Sequence, residues 1–326
     1  MAPRCGYGVT IPFAPGPLPA QQEWIGELAS LGYTDAWSAE ADGYDGFTPL
    51  ALASVWAPTL RLAPAIIPAY TRGPALLAQS VASMSQAAPG RFALGLGSSS
   101  NVIVERWNGL SFDEPYLRTR DTIRFLRDAL SGEKVTRDYG TFAVSGFRLG
   151  IPVVGEVPIL VAALREGMLN LAGREGDGAI INWLSAEDVA TVAPIVTAHG
   201  ADKEIVARIF VVPSTDADTV RAQGRFAIAA YLNVPVYAAF HEWLGRGEML
   251  APMWQRWRDG DRAGALEAIP DELVDALIVH GSPEQCRAHI QRYVDNGVTT
   301  PVLAVLPMAG VDPVAAVRQL APASSG

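Results

Sequence analysis

Scarce residues narrow the chemistry of this chain first. Two cysteines, Cys5 and Cys286, and four histidines stand in 326 residues. Two cysteines cannot build a disulfide framework, and nothing demands an oxidising compartment. His199, His241, His280 and His289 lack metal-ligand spacing, since His241-Glu242 has no second histidine four residues on. Solvated or structural histidines and no metal site are expected. No serine occupies a Gly-x-Ser-x-Gly elbow, and neither cysteine sits beside a base that could activate it. Apolar runs of 18 residues are also missing; the richest, 226–240, is broken by Asn233 and Pro235. Residues 1–13 lack the charged start and long apolar core of a signal peptide. A cytoplasmic protein without a membrane span is expected. Lysine is rare too, with Lys134 and Lys203 the sole examples among 25 basic residues. The net charge is −9 and the arginines are not bunched, which argues against a nucleic-acid partner.

What the chain does have is apolar content and rhythm. Hydrophobic residues make up 49% and charged ones 18%, far too apolar for disorder. Strand-like runs at 7–13, 33–38, 61–67, 91–96, 158–162, 178–182, 205–212 and 300–306 are nearly all apolar, as in a covered parallel sheet. Helical patterns alternate with them at 21–31, 49–56, 74–86, 118–130, 167–173, 186–199, 216–232, 282–296 and 313–320. Gly32 sits where a helix C-cap belongs, and Ser282-Pro283-Glu284 opens a helix. Two stretches break the rhythm. Residues 134–149 read as a hairpin turning at Gly140, and 235–268 as a helical insertion carrying Trp243, Trp254 and Trp257. Eight such units predict an α/β fold, a closed (β/α)8 TIM barrel, ahead of a doubly wound open sheet with the same alternation. Residues 1–326 are expected to form one domain, with no linker to divide it.

A barrel places its active face at the C-terminal ends of the strands: 39–42, 66–72, 97–101, 162–167, 182–184 and 307–310. Gly95-Leu96-Gly97-Ser98-Ser99-Ser100-Asn101 ends the fourth strand. Ser100 stands where a Rossmann fingerprint needs its third glycine, and no Lys-Ser/Thr follows for a P-loop. The stretch is either a plain turn or a loop offering N–H groups and hydroxyls to a polar heterocycle or anion. Ala162-Ala163-Leu164-Arg165-Glu166-Gly167 opens a helix directly after the fifth strand. Its free N–H groups and Arg165 suit a phosphate; the alternative is a surface Arg165–Glu166 pair. Acid–base and nucleophilic groups are otherwise sparse on this face, as where a cofactor carries the reaction.

These residues resemble the luciferase-like (β/α)8 flavin-dependent oxidoreductases, and most of all the actinobacterial branch that uses the deazaflavin coenzyme F-420. The similar stretches are Tyr70-Thr71-Arg72-Gly73-Pro74, Gly90-Arg91-Phe92-Ala93-Leu94-Gly95-Leu96-Gly97 and Val102-Ile103-Val104-Glu105-Arg106-Trp107-Asn108-Gly109. Leu171-Ala172-Gly173-Arg174-Glu175-Gly176-Asp177-Gly178 and Gly281-Ser282-Pro283-Glu284-Gln285 continue the likeness. The resemblance implies F-420, or alternatively FMN, as cofactor. It implies a non-proline cis peptide at Ala65–Ile66 behind the central ring. Gly97, Ser98, Ser99 and Ser100 would line one edge of that ring. Ala162, Ala163, Leu164, Arg165, Glu166 and Gly167 would hold the phosphate, while Asn182 and Glu40 would face the cofactor. Ala41 and Ser100 replace the histidine and glutamate of the family's sugar-phosphate dehydrogenases, so sugar oxidation by that mechanism is not expected.

The implied activity is hydride transfer between F-420 and a small organic substrate bearing C=C, C=N or a carbonyl. The alternatives are an FMN-dependent monooxygenase and a flavin-binding barrel without catalysis. Glu40, Tyr70 and Ser99 are the catalytic candidates, and Ser98, Ser99 or Tyr70 would donate to developing charge. The three insertion tryptophans either cover an apolar substrate or pack among themselves. A homodimer is expected, with Trp24 and Trp56 as buried contacts.

Overall fold

Short apolar runs bounded by glycine and proline become strands in the computed structural model, which describes residues 4–322. In chain order these are β1 (Gly8–Thr10), β2 (Asp35–Ser38), β3 (Arg61–Pro64), β4 (Ile67–Pro68), β5 (Leu94–Gly97) and β6 (Val135–Asp138). They continue with β7 (Ala143–Phe147), β8 (Ile159–Ala162), β9 (Gly178–Asn182), β10 (Glu204–Val212), β11 (Ile278–His280) and β12 (Thr300–Val305). Ten strands pair in parallel in the order β3-β2-β1-β12-β10-β9-β8-β5-β4, with β11 beside β10. Since β4 continues β3 and Leu62 bridges Phe92 ahead of β5, the sheet closes on itself. The architecture is the expected TIM barrel with helices outside.

Proline at the first turn sets several of those helices, among them Thr48–Trp56, Pro74–Ala87, Pro115–Leu130 and Pro235–Trp243. Capping boxes at Ser185/Asp188 and Ser282/Gln285 start Ala186–Thr197 and Pro283–Asp295. The expected hairpin is the antiparallel pair β6–β7. The expected helical insertion comprises Pro235–Trp243, Gly247–Arg258 and Arg262–Glu267. Of its tryptophans, Trp254 is buried and donates from Nε1 to the Leu232 carbonyl at 2.8 Å. Trp257 packs against the same apolar cluster, whereas Trp243 is 37% exposed.

Three local readings change. The helix expected over 21–31 is a 3-10 turn at Leu18–Gln21 and an α-helix at Gln22–Glu27. Beyond it, the N–H groups of Leu28 and Ser30 bond three residues back, a tighter winding that Gly32 ends at φ +91°. The strand expected over 61–67 is split into β3 and β4 by a cis peptide at Ala65–Ile66. Finally, β11 is an unanticipated strand, three residues that pair with Phe210–Val212 of β10 where β9 has ended.

Inward-facing residues of the barrel lie in layers, because alternate strand positions share a face. At the N-terminal ends of the strands the layer is charged and fully paired. Arg61 donates to both Glu204 oxygens at 2.7 and 2.9 Å, and Thr300 Oγ1 donates to Glu204 Oε1 at 2.7 Å. Asp35 stands 3.6 Å from Arg61 and accepts from Arg4 at 3.0 Å. Above this layer Trp37, Ala63, Ala93, Leu160, Ile180, Val206 and Val302 form an apolar plug. Burying each large apolar side chain there contributes about 1.5–3 kcal/mol. Among the described residues no helix is long and apolar enough to cross a membrane, and no cluster could hold a metal ion.

Candidate active site

Above the apolar plug, at the C-terminal ends of the strands, small residues line the barrel. The cis bond places Ala65 and Ile66 against the top of the plug. A Cβ at Gly97 would lie 2.8 Å from Ala162 Cβ and 3.1 Å from Ile66 Cδ1. One at Gly95 would lie 2.0 Å from the Pro64 carbonyl oxygen. Glycine at both positions therefore permits the close approach of β5 to the segment around Ala65–Ile66. Ala65, Ile66, Gly97 and Ala162 are brought together as one shallow apolar floor.

The loop after β5 is shaped rather than slack. Ser99 adopts φ +66°, and Ser100 accepts from the N–H groups of Val104 at 2.9 Å and Ile103 at 3.4 Å. These bonds start the π-helix Val102–Trp107, a winding that residue spacing did not announce. Ser98 and Ser99 are half-buried, with no side-chain hydrogen bond among the described residues. On the adjacent strand, the Ala163 N–H donates to the Ile180 carbonyl, and Leu164 packs against the core. Arg165 then caps the helix Glu166–Glu175 in an extended conformation. Arg165, Glu166 and Gly167 are all exposed, and no ion pair joins Arg165 to Glu166 among the described residues. A free helix N-terminus with an uncommitted guanidinium is a ready anion site.

Two catalytic candidates are already engaged. Arg72 grips Glu40 with both nitrogens, at 2.5 and 2.7 Å, and the Gly46 N–H donates to Glu40 Oε2 at 2.7 Å. Glu40 thus holds Arg72 and the loop after β2 in place, with both oxygens occupied. Tyr70 donates its hydroxyl to the Asp113 carbonyl at 2.5 Å. Burial pushes the Tyr70 phenol up to about 12, so it keeps its proton at neutral pH. Burial likewise pushes the Cys286 thiol up to about 12, consistent with an inert cysteine.

The wall formed by β9 and β10 carries groups that sequence reading missed. Asn182 accepts from the Tyr237 hydroxyl at 3.3 Å and stands opposite Arg208 in the β9–β10 register. Arg208 shares the inward face of Glu204 and Val206, and its guanidinium lies 5.2 Å from the centre of the Phe210 ring. Trp183 stacks on Phe210 with ring centres 4.0 Å apart, and Tyr231 packs on Trp183 at 4.8 Å. Trp183 adopts φ +53°, unusual for a bulky residue, and its carbonyl accepts from His241 Nε2 at 2.9 Å. Burial and the nearby Arg246 press His241 down to about 4, so it is neutral at pH 7 and acts as a strut. The sequence did hold one signal: Arg208 is the lone charge within an apolar strand, Ile205 to Val212, at the parity of Val206.

Several buried polar atoms without a partner stand at this end, while others lie elsewhere, among them Trp37 Nε1 beside Gly8 and His289 Nε2 on the helix Pro283–Asp295. Among the described residues those at this end include Thr10 Oγ1, Thr71 Oγ1, Trp183 Nε1, Arg208 Nε and His241 Nδ1. Native structures leave few such atoms, and each calls for a water or a ligand.

This geometry has relatives. The chain is similar to the 5,10-methylenetetrahydromethanopterin reductase of Methanolobus tindarius, 28% identical over 280 residues covering 82% of this chain and 84% of the relative. It is also similar to the F-420-dependent glucose-6-phosphate dehydrogenase of Kineococcus radiotolerans, 26% identical over 312 residues covering 88% and 86% of the two chains. The solved coenzyme F-420-dependent tetrahydromethanopterin reductase from Methanopyrus kandleri superposes with a TM-score of 0.78 at 20% identity, covering 98% of this chain and 97% of that one. The model of the luciferase-like monooxygenase family matches residues 7–300, and the chain belongs to that family.

Proposed function

We propose that the protein is a coenzyme F-420-dependent oxidoreductase that moves hydride between the deazaflavin and a C=C, C=N or carbonyl group of a small organic substrate. The carrying observation is near full-length similarity to enzymes whose names specify F-420. The residues fit such a group. Gly97 and Ala162 leave an apolar floor that a Cβ would fill, and unpartnered polar atoms face the same end of the barrel. When bound, F-420 supplies a ring carbon that gives or accepts hydride.

The chain's own residues supply placement. Ala65 and Ile66 would back the ring, and Gly97, Ser98, Ser99 and Ser100 would line its edge. The N–H groups at the start of Glu166–Glu175, with Arg165, would hold the phosphate in the turn from Ala162 to Gly167. Asn182 would face the cofactor from β9. Glu40 acts by fixing Arg72 rather than as a free base, since both its oxygens are taken. Ser99 is the hydroxyl free to donate a hydrogen bond to the reduced substrate atom, whereas Tyr70 would first have to release the Asp113 carbonyl.

The whole chain acts as one domain in the cytoplasm and pairs as a homodimer. The expected contact residues shift, however. Trp56 packs against the barrel core and Trp24 lies under Arg318. Val55 on Thr48–Trp56 and Leu76 on the neighbouring helix Pro74–Ala87, 77% and 55% exposed, are large apolar groups left facing outward on this side. Light scattering that gives 34.7 kDa at micromolar concentration would refute the dimer.

Reduced F-420 mixed with the protein and a panel of enones, imines and ketones tests the function. The expected result is oxidation of the deazaflavin by at least one class. Bound but unreactive cofactor across the panel would leave a non-catalytic flavin-binding barrel.

A further inference from the structure

We propose that Arg208, walled by Phe210, Trp183, Tyr231 and Tyr237, is the anchoring group of a subsite for an oxyanion, a carboxylate or phosphate, on an otherwise apolar substrate. This rests on the reading of the barrel mouth as the reaction site.

Three observations carry it. Arg208 is the inward-facing cation at the mouth end of β10, opposite Asn182. Its Nε is sealed from solvent without a hydrogen-bond partner, while the residue as a whole remains only partly buried. The charged tip is therefore reachable from the open mouth. Among the described residues no Asp or Glu acts on it; the groups that do are the phenols of Tyr231, which also hydrogen-bonds it, and Tyr237. Arginine cannot shed its proton to relieve this, so the charge persists.

Arg61 shows what the same barrel does with a cation that serves structure alone. It is buried against Glu204 at 2.7 Å and Asp35 at 3.6 Å. Arg208 lacks both kinds of partner. An aromatic face compensates a cation only in part. The planar fork matches a carboxylate or phosphate with two parallel bonds. The rings around it offer apolar contact to the rest of the ligand, with Phe210 and Trp183 already stacked at 4.0 Å. The Tyr237 hydroxyl and Asn182 are paired with each other at 3.3 Å, a long bond that can be redirected toward a ligand oxygen.

Tryptophan fluorescence and thermal shift, with benzoate, its neutral counterpart benzamide and inorganic phosphate as probes, test the subsite on F-420-free and F-420-saturated protein. Benzoate should bind the parent at least tenfold more tightly than benzamide does. Arg208→Gln should weaken benzoate at least tenfold and leave benzamide unchanged, and Arg208→Lys should fall between. Phosphate competing with benzoate in an Arg208-dependent way supports the oxyanion subsite and assigns phosphate as an accepted group. A purely structural role predicts instead a lower melting temperature for Arg208→Gln, with anion binding unaltered in Arg208→Lys. Benzoate and phosphate binding Arg208→Gln as well as the parent, or neither binding the parent, overturns the proposal. If F-420 fails to bind while benzoate still depends on Arg208, the function falls and the subsite stands. If F-420 binds and turns over but anions ignore Arg208, the reverse holds.

Discussion

The two ends of this barrel carry similar residue types and treat them oppositely. At the N-terminal end Arg61, Glu204, Asp35, Arg4 and Thr300 satisfy one another. At the C-terminal end Arg208 Nε, Trp183 Nε1, Thr10 Oγ1 and Thr71 Oγ1 are buried without partners. Nothing about arginine or threonine as such explains the contrast, since both ends are built from the same strands. Threonine at one end completes a charge network; at the other its hydroxyl waits. Closed polar groups mark the end that holds the barrel shut, and open ones mark the end that receives a ligand. Catalytic folds concentrate unsatisfied chemistry where a substrate will complete it.

Breaking the closed end should have the largest effect. Glu204→Leu leaves Arg61 buried with Asp35 as its nearest counter-charge, at 3.6 Å, and takes the acceptor from Thr300. Urea unfolding should show a loss of about 3–5 kcal/mol, the usual cost of orphaning a buried charge.

The open end should reveal itself through pH. His241 is pressed to about 4 from an ordinary 6.5. Between those values the unfolded chain binds a proton that the folded chain refuses, so stability falls as pH drops. The contribution is about 3 kcal/mol, fully present above pH 6.5 and lost by about pH 4. His241→Gln should flatten that part of the profile relative to the parent. An equal acid slope in both proteins would show that His241 is not buried neutral.

Arg165→Ala sharpens the comparison from the ligand side. It should weaken F-420 by about 1.5–3 kcal/mol, roughly ten- to hundredfold, and leave a phosphate-free fragment unaffected. Stability should barely move, because the side chain is exposed. Unchanged affinity in calorimetry would leave the phosphate to the backbone alone. The smallest expected effect is Arg208→Gln on folding. Removing a cation that has no carboxylate partner should leave the melting temperature level or slightly higher, opposite in sign to Glu204→Leu.

Much of this was legible before any coordinates. Apolar runs with glycine and proline punctuation marked all eight barrel positions, because strands covered by helices must be nearly all apolar. The hairpin at Gly140 and the helix started by Ser282 were equally plain. The π-helix Val102–Trp107 and β11 were not, since one turn or three residues carry no period to read. The backing at Ala65 and Ile66 came from resemblance alone, since an alanine and an isoleucine in an apolar strand carry no local mark, whereas the Gly97 loop showed in its glycines and serines. Arg208 stands out as a charge in an apolar strand, but its inward face is apparent only once Val206 is known to join the plug. The capture of Glu40 by Arg72, 32 residues along the chain, is a tertiary fact that local sequence does not encode.

Equilibrium titration of the purified protein with F-420 and, in parallel, with FMN measures the central claim directly. If the open end of the barrel is built for the deazaflavin, F-420 binds at micromolar concentration or tighter, and Arg165→Ala weakens it by the stated factor. FMN binding at micromolar concentration without F-420 binding would contradict the assignment and favour a flavin monooxygenase.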